Sequence, residues 1–443
     1  MKRKYYEVYG YYEPSLYRIN TVGTESINNY KSWKNEEQAC TFLHEFIHFL
    51  QDITTVKGLE NIYVSGEILR YATIIAKNSS DAVIHLPLDI TNDGYNIEQN
   101  CTLQSTVFGD AETDVRSLIS YSINLKTKIK DENTNKEIEL YIVELTCSDP
   151  YGNNVIIPFG TIQIEECMAN TIEEFVYPEQ AGMSPYNPYY IGKDLANMII
   201  PGIKDYPLTM IALYDKALQS SNPGLAFVNY LLFLKNQGYT CSTIDPDTIY
   251  NHLLNSITES STLGKCTLSK GYNQILSYAK GVINELVGNV WFLGNIKNWG
   301  IKTLDKGAFI RLNYPKLFID LAKSGKIQNN TILDNIIELI GTPLVTNESG
   351  EYNFIKPKDV IISKSEFVDV YSMMQLSYVF SCDGVYECPI KWYCQTKKLR
   401  WLLGPKLDEK CNTQPWNKPR FRRCKFIQWW RFKGFLRYKV IHH

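Results

Sequence analysis

The sequence predicts an α+β chain in three parts: a mixed core over residues 1–200, a mainly helical domain over 201–381 and a small basic, Cys/Trp-rich segment over 382–443. Three observations lead there. Runs of alternating or β-branched character are concentrated before Gly160. After Pro207 the apolar residues recur with helical spacing. From Asp383 to His443 there are 15 Lys/Arg against 4 Asp/Glu, a net +11, in a chain whose formal net charge is -1.

In chain order, Tyr5 to Tyr12 and Leu16 to Val22 alternate as two strands joined at Glu13-Pro14. A helical stretch follows from Asn35 to Thr55, closed by Gly58, and a second helix from about Glu60 to Lys77. Ile138 to Leu145 is rich in β-branched residues and Tyr, and Asp131 to Asn135 makes the hairpin turn before it. Val155 to Phe159 is a further strand, stopped at Gly160, with a helix from Thr161 to Phe175 directly behind it. Tyr177 to Tyr190 is a Pro/Tyr-rich loop. The helical pattern from Pro207 to Lys326 breaks at Asn222-Pro-Gly and Gln237-Gly-Tyr, and an apolar helix, Val368 to Phe380, precedes the basic segment.

With 44% hydrophobic and 21% charged residues over 443 positions, the composition excludes a disordered or fibrous chain and predicts more than one packed unit. No apolar run reaches the roughly 18 residues of a membrane-spanning helix. Met-Lys-Arg-Lys-Tyr-Tyr-Glu lacks the apolar element of a secretory signal. The eleven cysteines are odd in number and scattered, the pattern of free thiols in a reducing compartment, so a cytoplasmic location is expected.

The chemistry is concentrated at His44-Glu45-Phe46-Ile47-His48. Histidines at i and i+4 share one helix face, where both imidazoles reach a single Zn²⁺. At about 100° per residue, His44, His48, Gln51 and Thr55 form one stripe with Thr41 and Asp52 beside it. Phe42, Phe46, Phe49, Leu50 and Ile53 form an apolar back. Glu45 is offset from the metal axis, as a base acting on water must be. Two of only six histidines flank that Glu, which a surface-exposed amphipathic helix leaves unexplained.

Two histidines need a third protein ligand. The best candidate is Glu166, on the helix after Gly160, with Glu165 as the alternative. Glu166, Asn170 and Glu173 share a stripe opposite the apolar Ile164, Met168 and Phe175. Asn170, at i+4, is expected to orient Glu166 as an outer partner, and Asp52 is a second such candidate.

An HExxH helix followed by a Glu helix resembles the gluzincin-type zinc metallopeptidases. The resemblance covers two helices only, and the long strand-bearing interval between them departs from the family's compact arrangement. It implies a zincin-like core with one catalytic Zn²⁺ on His44, His48 and Glu166. Glu45 would polarise the attacking water and pass its proton to the leaving amine of a peptide or protein substrate. Val155 to Phe159 would be the edge strand that pairs with an extended peptide. An oxyanion donor is expected from Tyr186, Tyr189 or Tyr190, with Tyr190 chosen.

Cys382, Cys388, Cys394, Cys411 and Cys424 lie in the basic segment with five tryptophans, Trp392, Trp401, Trp416, Trp429 and Trp430. A second, structural zinc at Cys382, Cys388, Cys394 and Cys411, organising a nucleic-acid-binding module, is one expectation, although no Cys-x2-Cys knuckle is present. Buried thiols in a packed cap, or a basic arm docked on the acidic body, are the others, ahead of an amphipathic membrane-surface helix. Two alternatives to a peptidase stand: a zinc amidase or deformylase-like hydrolase with a closed pocket for a small substrate, and a non-enzymatic nucleic-acid-binding or interaction protein with a structural metal.

Overall fold

The computed structural model of the chain describes residues 10–13, 18–78, 83–86, 97–131, 136–180, 184–255, 257–260, 264–288, 293–381, 388, 390–395, 409–417 and 424–442. Helices predominate over small sheets, an α+β arrangement. Strands β1 (Gly10–Glu13) and β2 (Arg18–Thr21) form an antiparallel hairpin ahead of α1 (Glu36–Thr54) and α2 (Val56–Asn78). After β3 (Val83–Leu86) and α3 (Ile97–Phe108), an antiparallel meander of β4 (Ser117–Asp131), β5 (Lys136–Ser148) and β6 (Asn154–Phe159) leads into α4 (Thr161–Val176). The expected hairpin turn falls largely on residues 132–135, outside the described residues.

The helical part follows as α5 (Tyr186–Tyr189), α6 (Ile191–Ile199), α7 (Pro207–Ala217), α8 (Pro223–Asn236) and α9 (Pro246–Asn255). A small hairpin, β7 (Ile257–Ser260) and β8 (Gly264–Thr267), separates these from α10 (Leu268–Val287), α11 (Gly294–Asn313), α12 (Leu317–Lys323) and α13 (Thr331–Ile340). Next come β9 (Leu344–Thr346), β10 (Tyr352–Asn353), α14 (Lys364–Ser381), α15 (Lys391–Gln395), α16 (Lys410–Thr413), α17 (Lys425–Phe432) and β11 (Lys439–His442). β9 pairs parallel to β2 and β11 parallel to β3, so late strands close sheets begun early in the chain. Among the described residues no helix is long and apolar enough to cross a membrane.

Helix α1 starts where Asn35 accepts a hydrogen bond from the Gln38 amide at 3.0 Å, with Glu36 and Glu37 in the first turn. It ends at Thr55, whose extended backbone (φ -117°, ψ 155°) turns the chain straight into α2. Gly58 is therefore not the expected helix stop. It lies inside α2 because the helices touch there: a Cβ would fall 2.3 Å from the Asp52 Cα. The apolar back packs as expected, with Phe42 on Phe46 and Phe46 on Phe49 at 5.5 Å between ring centroids. The polar front is buried as well, because α4 packs over it.

The C-terminal end of α1 is tied to the helical part. Arg311 on α11 donates from Nε to the Thr54 carbonyl at 2.6 Å, and its guanidinium grips Asp215 of α7 at 2.7 and 3.0 Å. Tyr250 of α9 donates to the same carboxylate at 3.0 Å, and Tyr272 of α10 donates to the Ile53 carbonyl at 2.7 Å. Gly307 lets α11 come this close, since a Cβ there would meet the Ile53 oxygen at 2.3 Å. The segments 1–200 and 201–381 thus contribute to one hydrophobic core.

The described part of the basic segment packs on the body. Lys425 pairs with Asp369 of α14 at 2.7 Å, and Lys433 donates to the Leu286 carbonyl at 2.6 Å. Trp416, Trp429 and Trp430 are buried in this cap with Phe426 and Phe435, and the Trp430 ring packs against those of Trp416, Phe426 and Phe435. Trp401 and the side chain of Trp392 lie outside the described residues.

Removing one partner of the Arg311–Asp215 pair strands a buried charge. Asp215→Ala is expected to lower unfolding stability by about 3–5 kcal/mol in chemical denaturation. Asp215→Leu combined with Arg311→Met is expected to cost less than that single change.

Candidate metal centre

Helix α4 presents its ligand face to α1 because both ends of the approach are fixed. At its start the Gly160 amide donates to Gln163 Oε1 at 2.8 Å, and Gln163 Nε2 donates to the Asp110 carbonyl at 2.5 Å. Gly160 has an ordinary extended φ of -151°; a side chain is excluded there because a Cβ would lie 2.3 Å from the Val107 oxygen. Further along, Gln51 of α1 donates from Nε2 to the Glu165 carbonyl at 3.1 Å, which locks the two helices in register beside the cluster.

Within that frame three ligand atoms converge. His44 Nε2 is 3.2 Å from Glu166 Oε2, His48 Nε2 is 3.3 Å from the same oxygen, and the two Nε2 atoms are 3.2 Å apart. The histidines are each 7% exposed and Glu166 is 0% exposed. Among the described residues this is the group of ligating side chains with three donor atoms within 4.8 Å of one another.

The other ring nitrogens define what those atoms are. His44 Nδ1 bonds to Glu173 Oε2 at 2.6 Å, and His48 Nδ1 bonds to Gln51 Oε1 at 2.7 Å. Gln51 is oriented by its bond to the Glu165 carbonyl, so its oxygen faces the ring and His48 Nδ1 is the donor. Each Nδ1 therefore carries a proton, and when the rings are neutral each Nε2 turns a lone pair toward the other and toward a carboxylate oxygen. Such a set needs a positive charge at its centre. Ligands on a tetrahedral zinc at about 2.0 Å are separated by about 3.3 Å, the edge length found here. Two imidazoles and a carboxylate are also a donor set that catalytic zinc takes.

Without a metal, protons must serve. Burial opposes charge on His44, yet its bonds to Glu166 and Glu173 hold it well above the usual imidazole range. Burial likewise opposes charge on Glu166, and His48 and His44 hold it well below the usual carboxylate range. Glu45 is pushed up to about 7 by burial, against the pull of His44 and His48. Its Oε2 is buried and has no hydrogen-bond partner among the described residues.

Glu166 is the carboxylate brought to the histidines, while Glu165 contributes its backbone carbonyl to Gln51. Asn170 is buried beside them, its Nδ2 without a partner among the described residues, and Asp52 is buried on α1. The partners that orient the imidazoles are instead Glu173 and Gln51. Both were on the stripes visible in the sequence, Glu173 two turns after Glu166 and Gln51 three residues after His48. The signal that picks them out is that each metal-binding imidazole needs an acceptor at its far nitrogen.

Of the loop tyrosines, Tyr189 has its ring 5.9 Å from that of His44. Tyr190 lies with its ring under the Lys193 ammonium at 5.4 Å, and the Tyr186 hydroxyl donates to Asp194 at 3.0 Å. Cys382 lies outside the described residues. Cys388, Cys394, Cys411 and Cys424 are buried in the cap, with the Cys388 amide bonded to the Cys411 carbonyl at 2.6 Å. No protein-family model, curated protein or solved structure matches the chain.

Glu173→Ala and Gln51→Ala are each expected to lower zinc affinity about 10- to 100-fold without abolishing binding, measured by competition with a chromogenic chelator.

Proposed function

We propose that the chain is a zinc-dependent hydrolase of the gluzincin type, with a zincin-like core around α1 and α4, that cleaves peptide bonds. The observation that carries this is the buried triangle of His44, His48 and Glu166 with the Glu45 Oε2, unpartnered among the described residues, on the residue next to the first histidine. A zinc ion held there supplies Lewis-acid polarisation of a carbonyl and activation of water. Glu45 accepts the proton of the attacking water at Oε2 and delivers it to the leaving nitrogen. Glu173 and Gln51 hold the imidazoles so that both Nε2 lone pairs stay directed inward. Tyr189, beside His44, is supported ahead of Tyr190 as the donor to the developing oxyanion.

The enclosure of the centre favours a second reading, an amidase or deformylase-like hydrolase for a small substrate. His44, Glu45, His48 and Glu166 are all buried, and the Pro158 carbonyl on β6 is already occupied by the Asp110 amide at 3.1 Å. Strand β6 is nonetheless an edge of its sheet among the described residues, which supports the peptide reading. The eleven cysteines, odd in number and scattered along the chain, support a reducing, cytoplasmic setting for either.

Glu45→Gln is expected to keep its zinc and to lose hydrolysis by about 10²- to 10⁴-fold. Mass spectrometry of a peptide library and of a panel of N-formyl and N-acyl amides reads both reactions. Undiminished turnover by Glu45→Gln on every substrate that the wild type cleaves removes the hydrolase reading. Turnover of the small amides alone selects the second reading.

A further inference from the structure

The bond between His44 Nδ1 and Glu173 Oε2 is not the last link in its chain. Cys40, one turn before His44 on α1, places its Sγ 3.1 Å from the other oxygen of the same carboxylate, Glu173 Oε1. Cys40, His44 and His48 occupy successive turns of one helix stripe, and Glu173 reaches across from α4 to touch the first two. The carboxylate is thus held at both oxygens, by a thiol and by an imidazole, from the same helix.

We propose that Cys40 is a positioning residue of the metal centre: its S–H holds Glu173 in the orientation that directs the His44 Nε2 lone pair to the metal. This rests on the zinc reading of the cluster. With Oε1 occupied by the thiol, the carboxylate plane is fixed and Oε2 accepts the Nδ1 proton at 2.6 Å. A freed carboxylate rotates about its last torsion, and because Glu173 reaches partial exposure, water competes for the same oxygens. Cys40 is suited to the donor role alone. It is buried, and burial, then Glu173, Glu179 and Glu37, push its thiol far up, so it stays protonated. It is not a ligand in this arrangement, since the carboxylate stands between it and the imidazole.

The test is a double-mutant cycle on zinc affinity in the full-length chain, with folding followed by far-UV circular dichroism. Cys40→Ala and Cys40→Val are expected to weaken zinc binding about 3- to 10-fold, and Cys40→Ser, which keeps a donor, to restore most of it. In a Glu173→Gln background the Cys40 substitutions are expected to have no further effect, because the link they act through is already altered. Two results overturn the proposal: an equal loss in Cys40→Ser and Cys40→Ala, or a loss that persists undiminished with Glu173→Gln. Wild-type zinc binding that Cys40→Ala and Cys40→Val leave unchanged overturns it as well. Failure of the wild type to bind zinc at all would instead remove the underlying zinc reading.

Discussion

Three potential ligand atoms are held face to face inside the protein, and the rest of the centre follows from that. Two imidazole nitrogens and a carboxylate oxygen at 3.2–3.3 Å from one another repel unless something positive sits among them. Burial sharpens the requirement, because the interior screens the repulsion less than bulk water does. The outer bonds remove the easiest escape. Glu173 and Gln51 fix the proton of each ring on Nδ1, so neither histidine can relieve the contact by exchanging tautomers or turning away. A metal ion satisfies all three groups at once. Protons satisfy them only by charging a buried imidazole.

Holding such a contact takes a rigid scaffold, and much of the fold supplies it. Helix α1 is buried on all sides from Phe42 to its end, capped at its start by Asn35 and gripped at its end by Arg311 through the Thr54 carbonyl. Helix α4 is located by Gln163 at one end and by Gln51 near the cluster. The helices that follow residue 207 are part of this support, since α7, α9, α10 and α11 all meet at the end of α1 through Asp215, Tyr250, Tyr272 and Arg311. The segment carrying the histidines cannot move without disturbing that buried network.

The local features were legible in the sequence because they depend on short-range periodicity. HExxH spacing places His44 and His48 on one face of any helix, and the stripe of Glu166, Asn170 and Glu173 was visible for the same reason. The boundaries of α1 and α4 lie within a residue or so of their cap and glycine signals. Gly58 was misleading because a glycine demanded by close helix packing looks the same in sequence as one that ends a helix. The burial of the polar front of α1 was not legible, since it depends on α4 lying over it. Nor was the pairing of β2 with β9, or the grip of Arg311 on Thr54, because contacts between residues so far apart leave no periodic trace. Asn170 seemed the natural outer partner by its i+4 spacing from Glu166. The imidazole edge of His44 reaches the next turn of the stripe instead, and meets Glu173.

Zinc K-edge X-ray absorption on the purified, zinc-loaded protein tests the central claim most directly. The arrangement of His44, His48 and Glu166 predicts a first shell of nitrogen and oxygen at about 2.0–2.1 Å, with the outer-shell pattern of two imidazoles and no sulfur at about 2.3 Å. The same spectrum in His44→Ala should lose that shell along with the metal. A spectrum of sulfur ligands without imidazole, or a chain that takes up no zinc after reconstitution, would contradict the account.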